Sequence, residues 1–133
     1  DALERACMER IARRASDEQL ASLDRFRAYE GGAWDGGFVA YNREFHRTLA
    51  RISGNPRMRD QLIDLVDQMD RAVQLSLSSL KRGDPKTVVD EHCKLIDALQ
   101  ARDTTRAQRI SSRHVSDAGK RVLQALSRVV VAA

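Results

Sequence analysis

Long apolar runs are missing from this 133-residue chain. Its most apolar stretches, such as Val129-Val130-Val131, last a few residues, far short of the roughly 20 that a membrane-spanning helix requires. The first residues alternate charged and apolar side chains, which is not the layout of a secretory signal. A soluble, cytoplasmic protein with no membrane partner is therefore expected. Only two prolines and seven glycines are present, too few for an all-β or low-complexity chain. Aromatic residues are scarce at 5%, leaving few rings on which nucleic-acid bases could stack. The two cysteines, Cys7 and Cys93, are far apart and match neither a disulfide framework nor a zinc knuckle. They read as reduced packing residues.

With 42% hydrophobic residues the chain is long enough to bury a core, and residues 1–133 read as one domain. The formal net charge of +4 comes from 23 basic residues interleaved with 19 acidic ones. Basic clusters such as Arg10, Arg13 and Arg14, or Arg57 and Arg59, are short, so the charge reads as a solvated helix surface rather than a nucleic-acid face. The chain begins at Asp1, already in helical register, which suggests a piece of a longer protein with an N-terminal portion elsewhere.

Periodicity predicts an all-α domain, an antiparallel bundle of about six helices. Leu3, Cys7 and Ile11 mark a first helix from Ala2 to about Ala15. Ser16 and Gln19 form a capping-box signal for a second helix running to about Tyr29, with Leu20, Leu23 and Phe26 inward and an antiparallel partner in the first. The glycine-rich stretch from Gly31 to Gly37 must be a loop. Its Trp34 reads as an anchor to the core or, alternatively, a lid over a pocket. A third helix carries Phe38, Asn42, Phe45, His46, Leu49 and Ile52. Gly54-Asn55-Pro56 ends it and starts a fourth, with Met58, Leu62, Leu65, Val66, Met69 and Val73 inward. Unbroken to Ser79, that helix spans about 36 Å. Gly83-Asp84-Pro85 repeats the punctuation before a fifth helix to about Ala101, whose buried stripe is Val88, His92, Leu95, Ile96 and Leu99. Asp103 caps a sixth, with Ala107, Ile110, His114, Ala118, Val122 and Ala125 inward.

All three histidines of the chain thus fall on the inner stripe of a helix. Each buried imidazole costs desolvation unless satisfied, and one divalent cation can satisfy three at once. Asn42 lies one turn before His46 on the same face and can offer an amide oxygen. Three imidazoles and one oxygen suit zinc or nickel and leave room for water or a small anion. A zinc-peptidase His-Glu-x-x-His, a di-iron Glu-x-x-His repeat, a Gly-x-Ser-x-Gly elbow and a phosphate-binding glycine loop are all missing. Two other readings stay open: a hydrolase-like enzyme in which a three-histidine metal activates water, and a metal-free structural bundle with hydrogen-bonded core histidines.

Taken in order, Leu3-Glu4, the Ile11–Ser16 run, Asn42-Arg43-Glu44-Phe45-His46, Ser53-Gly54-Asn55-Pro56, Glu91-His92, Arg102-Asp103, Ala107 and His114 resemble the FCD domain. That domain is the C-terminal effector-binding part of the FadR subfamily of GntR-type bacterial transcription regulators. The resemblance covers nearly the whole chain. It implies a helical bundle that binds a small carboxylate effector, often through a metal, and contributes to a homodimer. It also implies that operator DNA is contacted only by an N-terminal winged helix-turn-helix absent from this chain. The family's metal set is an Asp four residues before a His, then two further His; here those positions are Asn42, His46, His92 and His114. Asn42 is the departure, and the loss of its charge weakens the expected metal affinity. Arg14 and Arg71 are the candidate effector-binding cations because they can face the bundle interior, although for either one a surface salt bridge is the favoured role.

Overall fold

Helix boundaries follow local chemistry. At Ser16 the capping box forms: the Ser16 hydroxyl accepts from the Gln19 N–H, and the Gln19 side chain accepts from the Ser16 N–H. The helix begun there is shorter than expected, because the chain tightens into a 3-10 helix over Ser22–Phe26. The Ser22 hydroxyl donates back to the Gln19 carbonyl, a side-chain bond that competes with regular helix. In the tighter coil, residues three apart eclipse, so Leu23 and Phe26 are both fully buried. At the next boundary Gly54 adopts a left-handed φ of 74°, and the Asn55 side chain accepts from the Met58 N–H at 3.0 Å, as the sequence punctuation predicts.

The computed structural model describes residues 2–30, 34–79 and 85–132. The order is α1 (Ala2–Arg14), α2 (Asp17–Ala21), the 3-10 turn, α3 (Gly37–Ile52), α4 (Pro56–Ser79), α5 (Pro85–Gln100) and α6 (Thr104–Ala132). No strand occurs among the described residues. Helix α4 has 24 residues and so reaches about 36 Å. Helix α6 packs on α1, α4 and α5, while α3 packs on α4, and α2 lies against α5. The main neighbour of α1 is therefore α6 rather than α2, which is too short to form the expected hairpin with it. No described helix is long and apolar enough to cross a membrane.

One turn ties distant ends together. Arg102 closes α5 with a positive φ of 55°, a position more often filled by glycine. The N–H groups of Arg102 and Asp103 bond to the Leu99 and Ala98 carbonyls, each at 2.9 Å. The Arg102 guanidinium donates to the Ala12 and Ala15 carbonyls at 3.2 and 2.8 Å and to Asp17. It thereby caps the C-terminal end of α1, and those bonds offset the roughly 1–2 kcal/mol cost of a left-handed non-glycine residue. Asp103 then caps α6 through the Arg106 N–H.

The core holds Cys7, Ile11, Leu23, Phe26, Tyr41, Phe45, Ile96 and Leu99, all nearly inaccessible to solvent. Two expected stripes shift. Val89 rather than Val88 is buried on α5, and Leu65 on α4 is 40% exposed. The side chains of Met69, Val73, Ala118, Val122 and Ala125 lie outside the described ones, as do residues Gly83 and Asp84.

Candidate metal centre

Helix α3 sets the first edge. Gly36 and Gly37 take positive φ values of 95° and 73° and turn the chain into the helix, where the Trp34 carbonyl accepts from the Gly37 N–H. Trp34 stacks on Phe26 with centroids 5.5 Å apart and meets Tyr41 edge-on at 5.4 Å. The Arg25 guanidinium lies over both Phe26 and Trp34. Trp34 is thus an anchor to the core just before α3. One turn further on, Phe45 is fully buried and stacks face to face on His92 at 4.0 Å.

Three helices converge here. His46 from α3, His92 from α5 and His114 from α6 each offer a ligand atom, and these atoms lie within 4.8 Å of one another. The rings of His46 and His114 stack at 5.5 Å, and both stand steeply to the His92 ring at 5.5 and 5.2 Å. Burial depresses the basicity of His46 and His92. His46 is pushed down to about 3, first by desolvation and then by the charge His114 would carry. His92 lies well below its usual range for the same first cause, with His46 and His114 adding to it. Neutral imidazoles at ordinary pH are the form in which nitrogen binds a metal.

Hydrogen bonds decide which nitrogen of His92 is free. The Tyr41 hydroxyl has one proton and donates it to the Phe26 carbonyl at 2.6 Å. Its 3.1 Å contact with His92 Nδ1 must then be accepted from that nitrogen. Nε2 of His92 is left with a lone pair, buried and without a hydrogen-bond partner. Asn42 Oδ1 is buried and unsatisfied in the same way. An orphan nitrogen within a cluster of three imidazoles is what a divalent cation would satisfy, so the donor set fits a metal, and Asn42 precedes His46 by one turn of α3. His114 Nδ1 meets Glu91 Oε2 at 2.5 Å.

The other expected site residues separate. Arg14 is exposed in the last turn of α1, the surface placement rather than the interior one; the inward positions there are Ile11, Ala12 and Ala15. Arg71 belongs to α4, and its side chain lies outside the described residues. Sequence reasoning did not pick out Tyr41, although its i, i+4 relation to Phe45 and its place one residue before Asn42 were visible. Nor did it assign Glu91 a part in the site.

Comparison with known proteins agrees with this architecture. The FCD domain matches residues 1–117. Over 108 residues the chain is 30% identical to the HTH-type transcriptional repressor NanR of Salmonella arizonae, covering 79% of this chain and 41% of that protein. The NanR repressors of Salmonella typhimurium and Salmonella typhi match to the same extent. The chain spans about two fifths of the length of these curated relatives. No solved structure matches. These similarities place the chain with domains of transcription regulators rather than with enzymes, and it belongs to the FCD domain family.

Proposed function

We propose that this chain is the effector-binding and dimerisation domain of a GntR-type transcription regulator, with a divalent metal, zinc or nickel, held by His46, His92 and His114. Asn42 contributes its amide oxygen. The observation that carries the reading is the cluster of three imidazoles with ligand atoms within 4.8 Å, one of which presents a buried, unsatisfied nitrogen. A metal-free structural bundle would need another partner for that nitrogen, since buried polar atoms in native cores are nearly always paired. Bound there, a divalent cation would supply a Lewis-acidic centre with positions open to the carboxylate oxygens of a small organic acid.

The residues themselves do the rest. Phe45 packs against the His92 ring and Tyr41 holds its Nδ1 proton, so the ring is orientated before any ligand arrives. Arg71 on α4 is the candidate second cation for the effector. Effector binding biases two arrangements of a homodimer, and with them the spacing of winged-helix heads that lie outside this chain and contact operator DNA. The repressor relatives support repression as the mode of the parent protein.

Metal analysis of the chain purified without chelator tests the reading. About one zinc or nickel per chain is expected, with a higher melting temperature when either ion is added and a further rise with the right organic acid. A metal-free protein whose melting temperature neither ion changes would sink it.

A further inference from the structure

Four neutral donors leave a buried divalent cation with its whole charge, an expensive state in a low-dielectric interior. Yet one carboxylate is tied to this donor set. Glu91 Oε2 lies 2.5 Å from His114 Nδ1, across the contact between α5 and α6. That bond occupies Nδ1 and leaves Nε2 of His114 as the nitrogen for the cluster. A carboxylate on the far nitrogen fixes the tautomer and makes the imidazole a stronger donor. His92 is held differently, by the neutral Tyr41 hydroxyl at 3.1 Å, and the described contacts of His46 are ring packing with Phe45, His92 and His114.

We infer that Glu91 is the positioning residue that supplies, through His114, the negative charge that Asn42 does not bring to the metal centre, with Tyr41 as its neutral counterpart on His92. The inference rests on the three-histidine metal reading. Adjacency in sequence makes the arrangement compact: α5 sends His92 into the cluster and turns Glu91 by about 100° to flank it. Among the described residues a second carboxylate also responds to His114. Glu4 of α1 feels its charge, but the buried Glu4 Oε2 has no hydrogen-bond partner.

Competition titration of zinc and nickel against a chromogenic chelator tests this, with wild type, Glu91→Gln, Glu4→Gln, Asn42→Asp and the Asn42→Asp/Glu91→Gln pair. Glutamine still accepts from His114 Nδ1, so Glu91→Gln removes charge and keeps the bond. It is expected to weaken metal binding about 10- to 100-fold, while the melting temperature of the metal-free protein stays within a few degrees. Asn42→Asp in the double variant is expected to restore at least about tenfold of that loss by returning the charge to the first ring of ligands. Tyr41→Phe is expected to weaken binding only a few-fold. Wild-type affinity in Glu91→Gln overturns the inference and leaves the metal reading standing. So does a larger loss in Glu4→Gln, or a loss that Asn42→Asp fails to recover and that tracks a lowered metal-free melting temperature. A wild-type chain that takes up neither ion overturns the metal reading and this inference together.

Discussion

Two ring clusters sit side by side in this bundle and meet at Tyr41. On one side Phe26, Tyr29, Trp34 and Phe38 surround it, with centroids between 5.4 and 6.0 Å from its ring. On the other, His92, 5.6 Å away, leads into the imidazole cluster. The packing is alike, and the hydrogen bonding is not. In the aromatic cluster the buried Tyr41 hydroxyl has partners on both sides. In the imidazole cluster His92 Nε2 has none. A satisfied cluster contributes stability; an unsatisfied one costs some and keeps a binding capacity in reserve.

The contrast can be broken most sharply at His92. His92→Phe keeps a ring against Phe45 and removes the orphan nitrogen. Metal binding is expected to fall by more than about a thousandfold with the loss of a ligand, while urea denaturation of the metal-free chain changes by less than about 1 kcal/mol. A large destabilisation without metal would show that His92 belongs to the structural side.

Phe26→Ala attacks the other cluster. The residue touches Trp34, Tyr41 and Phe45, and its truncation is expected to cost about 3–5 kcal/mol. Trp34 fluorescence during denaturation reports the loss directly. If the clusters are as distinct as argued, the metal affinity of the folded fraction changes far less than in His92→Phe.

Acid should separate the two clusters without mutation. His46 and His92 have lowered basicity in the fold, so the unfolded chain binds more protons below its ordinary histidine pKa of about 6.5. Their neutral forms contribute fully above that pH. As pH falls from about 6.5 toward the His46 value of about 3, the metal-free chain should lose on the order of a few kcal/mol. In His92→Phe that loss should be smaller. Equal acid sensitivity in both chains, followed by circular dichroism, would assign it to carboxylates elsewhere.

The smallest effect expected is at Asn42. Asn42→Asp should tighten zinc or nickel about tenfold, near 1.4 kcal/mol, by adding a charged ligand. An aspartate variant with unchanged affinity would place Asn42 outside the coordination sphere, and its buried oxygen would need another explanation.

Much of the fold could be read from local signals, because those signals act within a few residues. The Ser16 capping box, the Gly54-Asn55-Pro56 stop and start, and Asp103 at the head of α6 all formed as their side chains demand. Helical periodicity likewise put His46, His92 and His114 on inward faces. Tertiary structure decided what periodicity cannot encode. Burial at Phe26 and a bond back from Ser22 shortened α2. Arg14 went to the surface, while Arg102, from a turn some 90 residues away in the chain, capped α1. The partners of the histidines were decided there too: the same sequence pattern serves a satisfied core imidazole or a ligand, and only the Tyr41 hydroxyl between Phe26 and His92, with Glu91 across from His114, separates the two. A residue's face is set by its own helix, whereas the hydrogen bond that chooses a tautomer needs an atom from another.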